Sequence, residues 1–418
     1  MKKIITLFIL FVSLGAYAQE ELTLDKCYEL VNINYPLAKQ KAMLTQKNEL
    51  ELSVINKGKL PTVDFSAQAS YQSDVTEVPV NNPLVSIEPP NNDQYKATLT
   101  VNQLIYGGGM VNSAAEVKSN ELKTQQKQLE VSLYQLKKQV NQLYFSILLM
   151  QEKRSVLDAN KKKLEAKLIE VRSAIKYGAA LASSDNILEA ELLKVDQLII
   201  EIDQNKKTLM ATLSQLIGQE ISNSAALANP EISATISNDL SRPEMELFEL
   251  QKQQILSSEQ LLSKNKGPKL FGFANGGIGN PGLNFLDNSF QPFYMVGLKF
   301  NWNILDWNTT KKQRMAMLVN KDIIDNQKEV FKFNTNIELT QQQSEMEKIN
   351  AFIASDKTII ELRKKILKSA DAQLKNGVIT SSAYITEVTN LYEAENNLKT
   401  HEIQLLLAKA NYNTTQGN

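Results

Sequence analysis

The chain has 418 residues, with 46 Lys and Arg against 46 Asp and Glu, a single His and a single Cys. That balance supplies none of the basic excess on which nucleic-acid binding depends, and a lone Cys27 excludes an intrachain disulfide. His401, with no second His and no Cys beside it, offers neither a metal-ligand set nor a nucleophilic pair. No cofactor, metal site or enzymatic activity is therefore expected.

Met1-Lys2-Lys3 is a short basic start, Ile4–Leu14 is apolar, and Ala16-Tyr17-Ala18 is a small-x-small cleavage site. The pattern is that of a secretory signal peptide over residues 1–18, with Gln19 as the first mature residue. No Cys follows the cleavage site, so no N-terminal lipid anchor is indicated. The spacing of Cys27 from Leu24 and Leu30 puts it on a buried helix face. The longest apolar run after the leader, "LYFSILLM" (Leu143–Met150), falls well short of the ~18 residues a spanning helix needs. Any membrane crossing must use β-strands.

A first helical segment ends near "KGKLP" at Pro61, and alternation replaces it. In "PTVDFSAQASYQSD", Val63, Phe65, Ala67, Ala69 and Tyr71 share one face, and their neighbours are polar. After a Pro/Asn-rich connection, "YKATLTVNQLIYGGG" completes a hairpin over 61–106. Tyr106 to Gly109 invites comparison with a phosphate-binding loop, but it lacks the Gly-Lys-Ser/Thr element and reads as a strand-to-helix hinge.

The long helix expected over 110–176 carries Leu122, Leu129, Leu136, Leu143, Met150, Leu157, Leu164 and Val171 at an unbroken seven-residue step. Such a step specifies left-handed supercoiled packing. At ~1.5 Å per residue, a helix of this span is a rod of about 100 Å, which a globular core does not use. "IKYGAALASSD" (Ile175–Asp185) breaks it, with Ser183, Ser184 and Asp185 as candidate caps for a return helix over 185–217.

Residues 221–242 are weakly patterned, and the order of elements then repeats. A helix runs to "NKGP" at Pro268, followed by a hairpin over 268–305, in which Tyr294, Val296, Leu298, Phe300, Trp302 and Ile304 share a face. A long helix over 309–375 keeps the heptad with Leu339, Met346, Ile353, Ile360, Leu367 and Leu374. The break "LKNGVITSSAY", a return helix over 382–412 and a C-terminal tail complete the copy. Gly377 follows Gly178 by 199 residues, and Leu305 follows Ile105 by 200. The chain is a tandem duplication, 19–220 and 243–418, joined by the connector. Its class is mainly α with a small β part. Four alternating strands per chain cannot enclose a lumen, so strands that span a membrane would need several chains to share one barrel.

These residues resemble the TolC-like outer-membrane efflux protein family. The likeness rests on "LTLDKCYELVNINYPLAKQ" (Leu22–Gln40), the helix-ending Pro61, "LIYGGG" leading into a long helix, both helix-turn-helix breaks, and "NLYEAENNL" (Asn390–Leu398). The resemblance implies a homotrimer in the Gram-negative outer membrane, with twelve strands forming a β-barrel and the helical hairpins an α-barrel tunnel through the periplasm. It implies a passive exit duct of a tripartite system, whose partners are a periplasmic adaptor (membrane fusion protein) and an inner-membrane pump, proton-driven or ABC type. The adaptor-contact surface expected at the turns is Tyr177, Gly178, Ser183, Ser184, Asn376, Gly377, Ser381 and Ser382. The membrane-interface aromatics would be Tyr71, Tyr95, Phe293, Tyr294, Trp302 and Trp307.

One departure concerns the gate. The family's best-known members narrow the entrance with two aspartates in the second break, where this chain has Ala383 and Thr386, with Glu387 adjacent and Asp185 in the first break. Closure here is expected to rely on packing and hydrogen bonds among turn residues. Two alternatives remain at this stage: a periplasmic adaptor, which usually carries one helical hairpin within a β-domain, and a structural coiled-coil protein, which has no use for aromatic alternating strands.

Overall fold

The computed structural model describes residues 22–77, 89–222, 225–234 and 239–418; the expected signal peptide lies outside them. Helices α1 (Leu24–Asn34) and α2 (Gln40–Lys57) precede strands β1 (Thr62–Tyr71) and β2 (Asp93–Tyr106), then α3 (Met110–Lys176) and α4 (Ser183–Ile217). The second copy supplies α5 (Pro243–Asn265), β3 (Lys269–Asn280), β4 (Gln291–Asn301), α6 (Thr309–Lys375) and α7 (Ser381–Gln416). α3 and α6 are each 67 residues long.

The first helical segment is not continuous. Pro36 lacks the N–H that a helix interior needs and pushes the residue before it out of the α region. Tyr35 accordingly sits at ψ 135°, and a short 3-10 turn over Pro36–Lys39 separates α1 from α2. At the other end, α7 absorbs most of the tail expected after residue 412, since it runs to Gln416 and is closed by a left-handed Gly417.

The chain divides into two compact units that do not follow the repeats. One takes the chain up to Ala38, Ser132–Arg242 and Phe333–Asn418; the other takes Lys39–Val131 and Pro243–Lys332. In the first, Leu24, Cys27 and Val31 of α1 meet Val140, Tyr144, Phe145 and Ile147 of α3, Leu213 and Ile217 of α4, and Ile403 and Ala410 of α7. Burial pushes the Cys27 thiol up to about 12. The Tyr144 hydroxyl lies 2.8 Å from the Leu22 carbonyl and 2.7 Å from that of Ala228, tying the connector to the helices. Asn141, fully buried, accepts from the Tyr28 hydroxyl and donates 3.0 Å to Asn411 Oδ1, so its desolvation is met by partners.

The second unit holds one antiparallel sheet in the order β1-β2-β3-β4. The two hairpins join through β2 and β3, with Thr100 opposite Asn275 and Val101 opposite Ala274. The duplication is visible in the backbone where each sheet exit turns into a long helix. Gly108 and Gly109 take positive φ (59° and 82°) before α3, and Trp307 and Asn308, 199 residues later, take φ 50° and 64° before α6. Glycine takes this geometry freely, whereas L-residues lose about 1–2 kcal/mol there. Asp306 compensates by accepting from the Thr310 hydroxyl and from its backbone N–H, and by pairing with Lys266 at 3.2 Å. The Thr310 hydrogen bonds, with Lys266, hold the Asp306 carboxyl down at about 2. Asn308→Val should therefore destabilise the folded chain by about 1–2 kcal/mol while Asn308→Gly is close to neutral. Denaturation midpoints of the two variants in detergent check this.

Candidate functional site: a two-faced sheet and two helical turns

Because β-strand side chains alternate, the register assigns every residue of the sheet to a face. One face carries Val63, Phe65, Ala67, Ala69 and Tyr71 from β1, Leu99 and Val101 from β2, and Ala274 and Ile278 from β3. Tyr294, Val296, Leu298 and Phe300 from β4 complete it. Phe65, Val296, Leu298 and Phe300 are exposed, so this apolar face is uncovered in the single chain. The other face is mainly polar: Asp64, Ser66 and Gln68 beside Lys96, Thr98, Thr100 and Asn102, then Asn275 and Lys299.

The six aromatics expected at a membrane boundary divide between the two faces of the sheet and the chain just beyond β4. Tyr71, Tyr95 and Tyr294 belong to the apolar face, Tyr95 stacking on Phe290 at 6.2 Å. Trp302 follows the end of β4, and Trp307 is 81% exposed at the exit turn. Phe293 lies on the other face. It precedes Tyr294 in the same strand, pairs with Gly277 on the polar face, and lies under the Lys96 ammonium at 5.1 Å.

The second candidate region is the pair of helical turns, both in the first unit. α3 ends in a left-handed Gly178 (φ 74°), with Gly178 N–H donating to the Ile175 carbonyl (3.0 Å) and Ala179 N–H to that of Ala174 (2.8 Å). Gly377 (φ 68°) does the same for α6, with Val378 N–H donating to Gln373. These are glycine-closed helix ends. The caps of the return helices differ from expectation. The position before α4 is Ala182, in helical geometry with no side-chain cap, so Ser183, Ser184 and Asp185 do not cap. Before α7, Thr380 accepts from Ala383 N–H at 3.3 Å, a cap the sequence reading passed over.

Tyr177, 79% exposed, Gly178, Ser183, Asn376, Gly377 and Ser382 lie on the surface of the turns, but Ser184 and Ser381 are buried and present no contact surface. The gate candidates are not a carboxylate ring within this chain. Asp185 accepts from Arg172 Nε at 2.8 Å, and Glu387 pairs with Arg363 at 3.3 Å. Ala383 is exposed, and the Thr386 hydroxyl donates to the Ser382 carbonyl at 3.1 Å.

A charged cluster that sequence reasoning missed ties the two repeats together beside these turns. Leu157, Leu164, Leu168, Val171, Leu188 and Val195 of the first repeat share one core with Ala370, Tyr384, Ile385 and Val388 of the second. Lys167, its side chain only 8% exposed, pairs with Asp371 and Glu170 and lies 5.2 Å over the Tyr384 ring. Lys375 adds contacts of 3.1 Å to Asp371 and 3.4 Å to Glu170. The signal available was Lys167 itself, a charge next to Leu168 on the apolar stripe.

Residues 40–219 match the family model described as outer membrane efflux protein. No curated protein sequence matches. Among solved structures, the chain is similar to the outer membrane protein VceC from Vibrio cholerae (13% identity, 94% of this chain and 96% of that one, TM-score 0.66). It is similar to the Campylobacter jejuni CmeC outer membrane channel (15%, 94% and 85%, TM-score 0.64) and to the Neisseria gonorrhoeae MtrE outer membrane channel (14%, 94% and 89%, TM-score 0.66). The first repeat thus matches the outer membrane efflux protein family by sequence, and nearly the whole length of the chain shares the fold of outer membrane channels. This places it in the outer membrane, extending into the periplasm, as an efflux duct of the tripartite type. No helix among the described residues is long and apolar enough to cross a membrane.

The Lys167 cluster gives the turns a defined acid response. Burial alone would raise the Asp371 carboxyl, but hydrogen bonds from Lys167 and Lys375 outweigh it and hold it below its ordinary value. A lowered carboxylate contributes stability above its unfolded value, about 4, and loses it as pH falls through the lowered folded value. Limited pepsin digestion should therefore open the turn region increasingly below pH about 4. In Asp371→Asn the turns should already be more susceptible above that range, and the added acid sensitivity should be absent.

Proposed function

We propose that this chain acts as a homotrimer, a passive conduit that uses neither cofactor nor catalytic chemistry. In this reading three sheets close a twelve-stranded barrel, and the helical hairpins of three chains form the wall of a periplasmic tunnel. A periplasmic adaptor would contact the surface residues of the turns, Tyr177, Gly178, Ser183, Asn376, Gly377 and Ser382, and an inner-membrane pump, proton-driven or ABC type, would supply the energy. The entrance would close through the paired carboxylates and packed turns described above rather than through an unpaired acidic ring.

The observation that carries this reading is the sheet with one uncovered apolar face and, among the described residues, two edges without a partner strand. In hydrocarbon an open edge strand is not viable, because each unpaired N–H and C=O costs several kcal/mol. Edge β1 of one copy pairing with edge β4 of the next removes both edges and generates a closed ring. A second feature agrees: Ile323, Val330 and Ile337 of α6 keep the seven-residue step yet stay exposed in one chain, as do Met43 and Leu50 of α2. Those are seams without a partner in the single chain.

The test combines location, assembly and face. The native protein should fractionate with the outer membrane and migrate as a trimer that heating converts to monomer. Val296→Arg, on the apolar face, should cost about 2–4 kcal/mol at the middle of the bilayer and deplete the trimer, whereas Asn275→Arg, on the polar face, should assemble. Recovery of the unmodified chain from the soluble periplasm would end the channel reading.

A further inference from the structure

The polar face of the sheet carries a charge pattern that a neutral conduit does not need. The register puts Lys96, Lys269 and Lys299 there, against a single carboxylate, Asp64. Among the described residues none of the three lysines forms an ion pair with a carboxylate. Lys269 and Lys299 are diagonal neighbours: Lys299 pairs with Phe271, two residues along β3 from Lys269. Like charges so placed on one sheet face repel. They lie at the end of the sheet joined to α5 and α6, whereas Lys96 lies towards the other end, opposite Gly279.

Between the two ends the wall is flat and aromatic. A Cβ on Gly297 would meet the Phe273 ring at 2.6 Å, and one on Gly277 would meet the Phe293 ring at 3.0 Å, so each ring lies down across a glycine of the neighbouring strand. A groove of about 440 Å³ opens beside them, lined by Thr100, Asn102, Phe271, Phe273, Asn275 and Lys299, with Asn301 at its end. Asn275 Oδ1 is buried there with no hydrogen-bond partner.

We propose that this face is an anion-favouring wall and that its groove takes organic anions with a planar apolar body, the acid group on Lys299 and the flat body against Phe271 and Phe273. The inference rests on the duct reading, in which the polar face lines the lumen. Rings of lysine select anions in pores, and a charged wall backed by low-dielectric surroundings acts more strongly than the same charges in bulk water. The aromatic floor adds apolar contact, and amides and hydroxyls at the rim offer hydrogen bonds. Asp74, Glu77, Asp93 and Asp287 near the strand connections add negative charge at the opposite end from Lys269 and Lys299. The wall's contribution is therefore read by changing its lysines.

The full chain is purified as the detergent-solubilised oligomer and inserted into planar bilayers under a potassium chloride gradient. Chloride should permeate better than potassium, and Lys269→Gln with Lys299→Gln should lower the chloride-to-potassium permeability ratio by about threefold. Pyrene trisulfonate, a planar organic anion, should bind the solubilised oligomer by fluorescence anisotropy, a readout that needs no open periplasmic entrance. Its affinity should fall about tenfold in the double variant and weaken with added salt as screening shortens. A channel that prefers potassium with a ratio unmoved by the double variant, or equal dye binding by both proteins, overturns the inference and leaves the duct intact. Failure of the native chain to form any membrane-inserted oligomer overturns the duct reading, and this inference with it.

Discussion

In the strand order β1-β2-β3-β4, the outer edges of β1 and β4 find no partner among the described residues. In water this would be an aggregation hazard; in hydrocarbon it is untenable, since nothing there can hydrogen-bond the exposed backbone. Much of the rest follows from that constraint. In the reading proposed above, copies of the sheet complete it, its faces separate into lipid-facing and water-facing sets, and seams elsewhere in the chain hold the copies together. The continuous apolar face through Phe65, Leu99, Val296 and Leu298, and the uncovered heptad positions Ile323, Val330 and Ile337, answer the last two demands.

The duplication shows how one backbone solution can be reached with different chemistry. Both strand-to-helix exits need two consecutive left-handed residues. The first repeat uses Gly108 and Gly109, for which that geometry costs nothing sterically; the second uses Trp307 and Asn308 and recruits Asp306 to hold the turn. Local propensity does not favour an exposed Trp in this conformation. At the edge of a bilayer an indole ring gains contact with the interface. In the duct reading proposed above, the strain would be the local cost of placing an aromatic side chain at that interface.

Much of this architecture was legible in the sequence because it is periodic. A seven-residue step from Leu122 to Val171 admits only a long helix, and alternation from Val63 to Tyr71 admits a two-faced strand. The break at Tyr35 was equally readable from Pro36 but was overridden by the helical pattern on either side. What escaped was everything set by pairing across the chain. Phe293 looks like its neighbour Tyr294 in sequence, and only the opposition to Gly277 assigns it to the other face. Ser183, Ser184 and Asp185 have cap chemistry, but Asp185 is claimed by Arg172 on the preceding helix, and Ala182 occupies the cap position. Local propensity offered a cap, and a tertiary ion pair used the side chain elsewhere.

The same competition shapes the turns. Both close on a left-handed glycine with open space around it, so neither is held by packing at its apex. The first also lacks a side-chain cap, while the second has Thr380. Order at this end must come from the helices just before the turns, where Lys167 reaches from α3 to Asp371 on α6 and over Tyr384 on α7. A buried ammonium is expensive unless its protons are taken up, and here two carboxylates and an aromatic face take them. Removing one partner would leave charge stranded in an apolar core, so the contact is specific to the arrangement in which these helices meet. Loose apices on a firmly tied base are what a contact surface needs if it is to adapt to a partner without unravelling the helices that carry it. In the reading proposed above, the exposed residues, Tyr177 and Asn376 among them, would take that role, while Ser184 and Ser381 are buried.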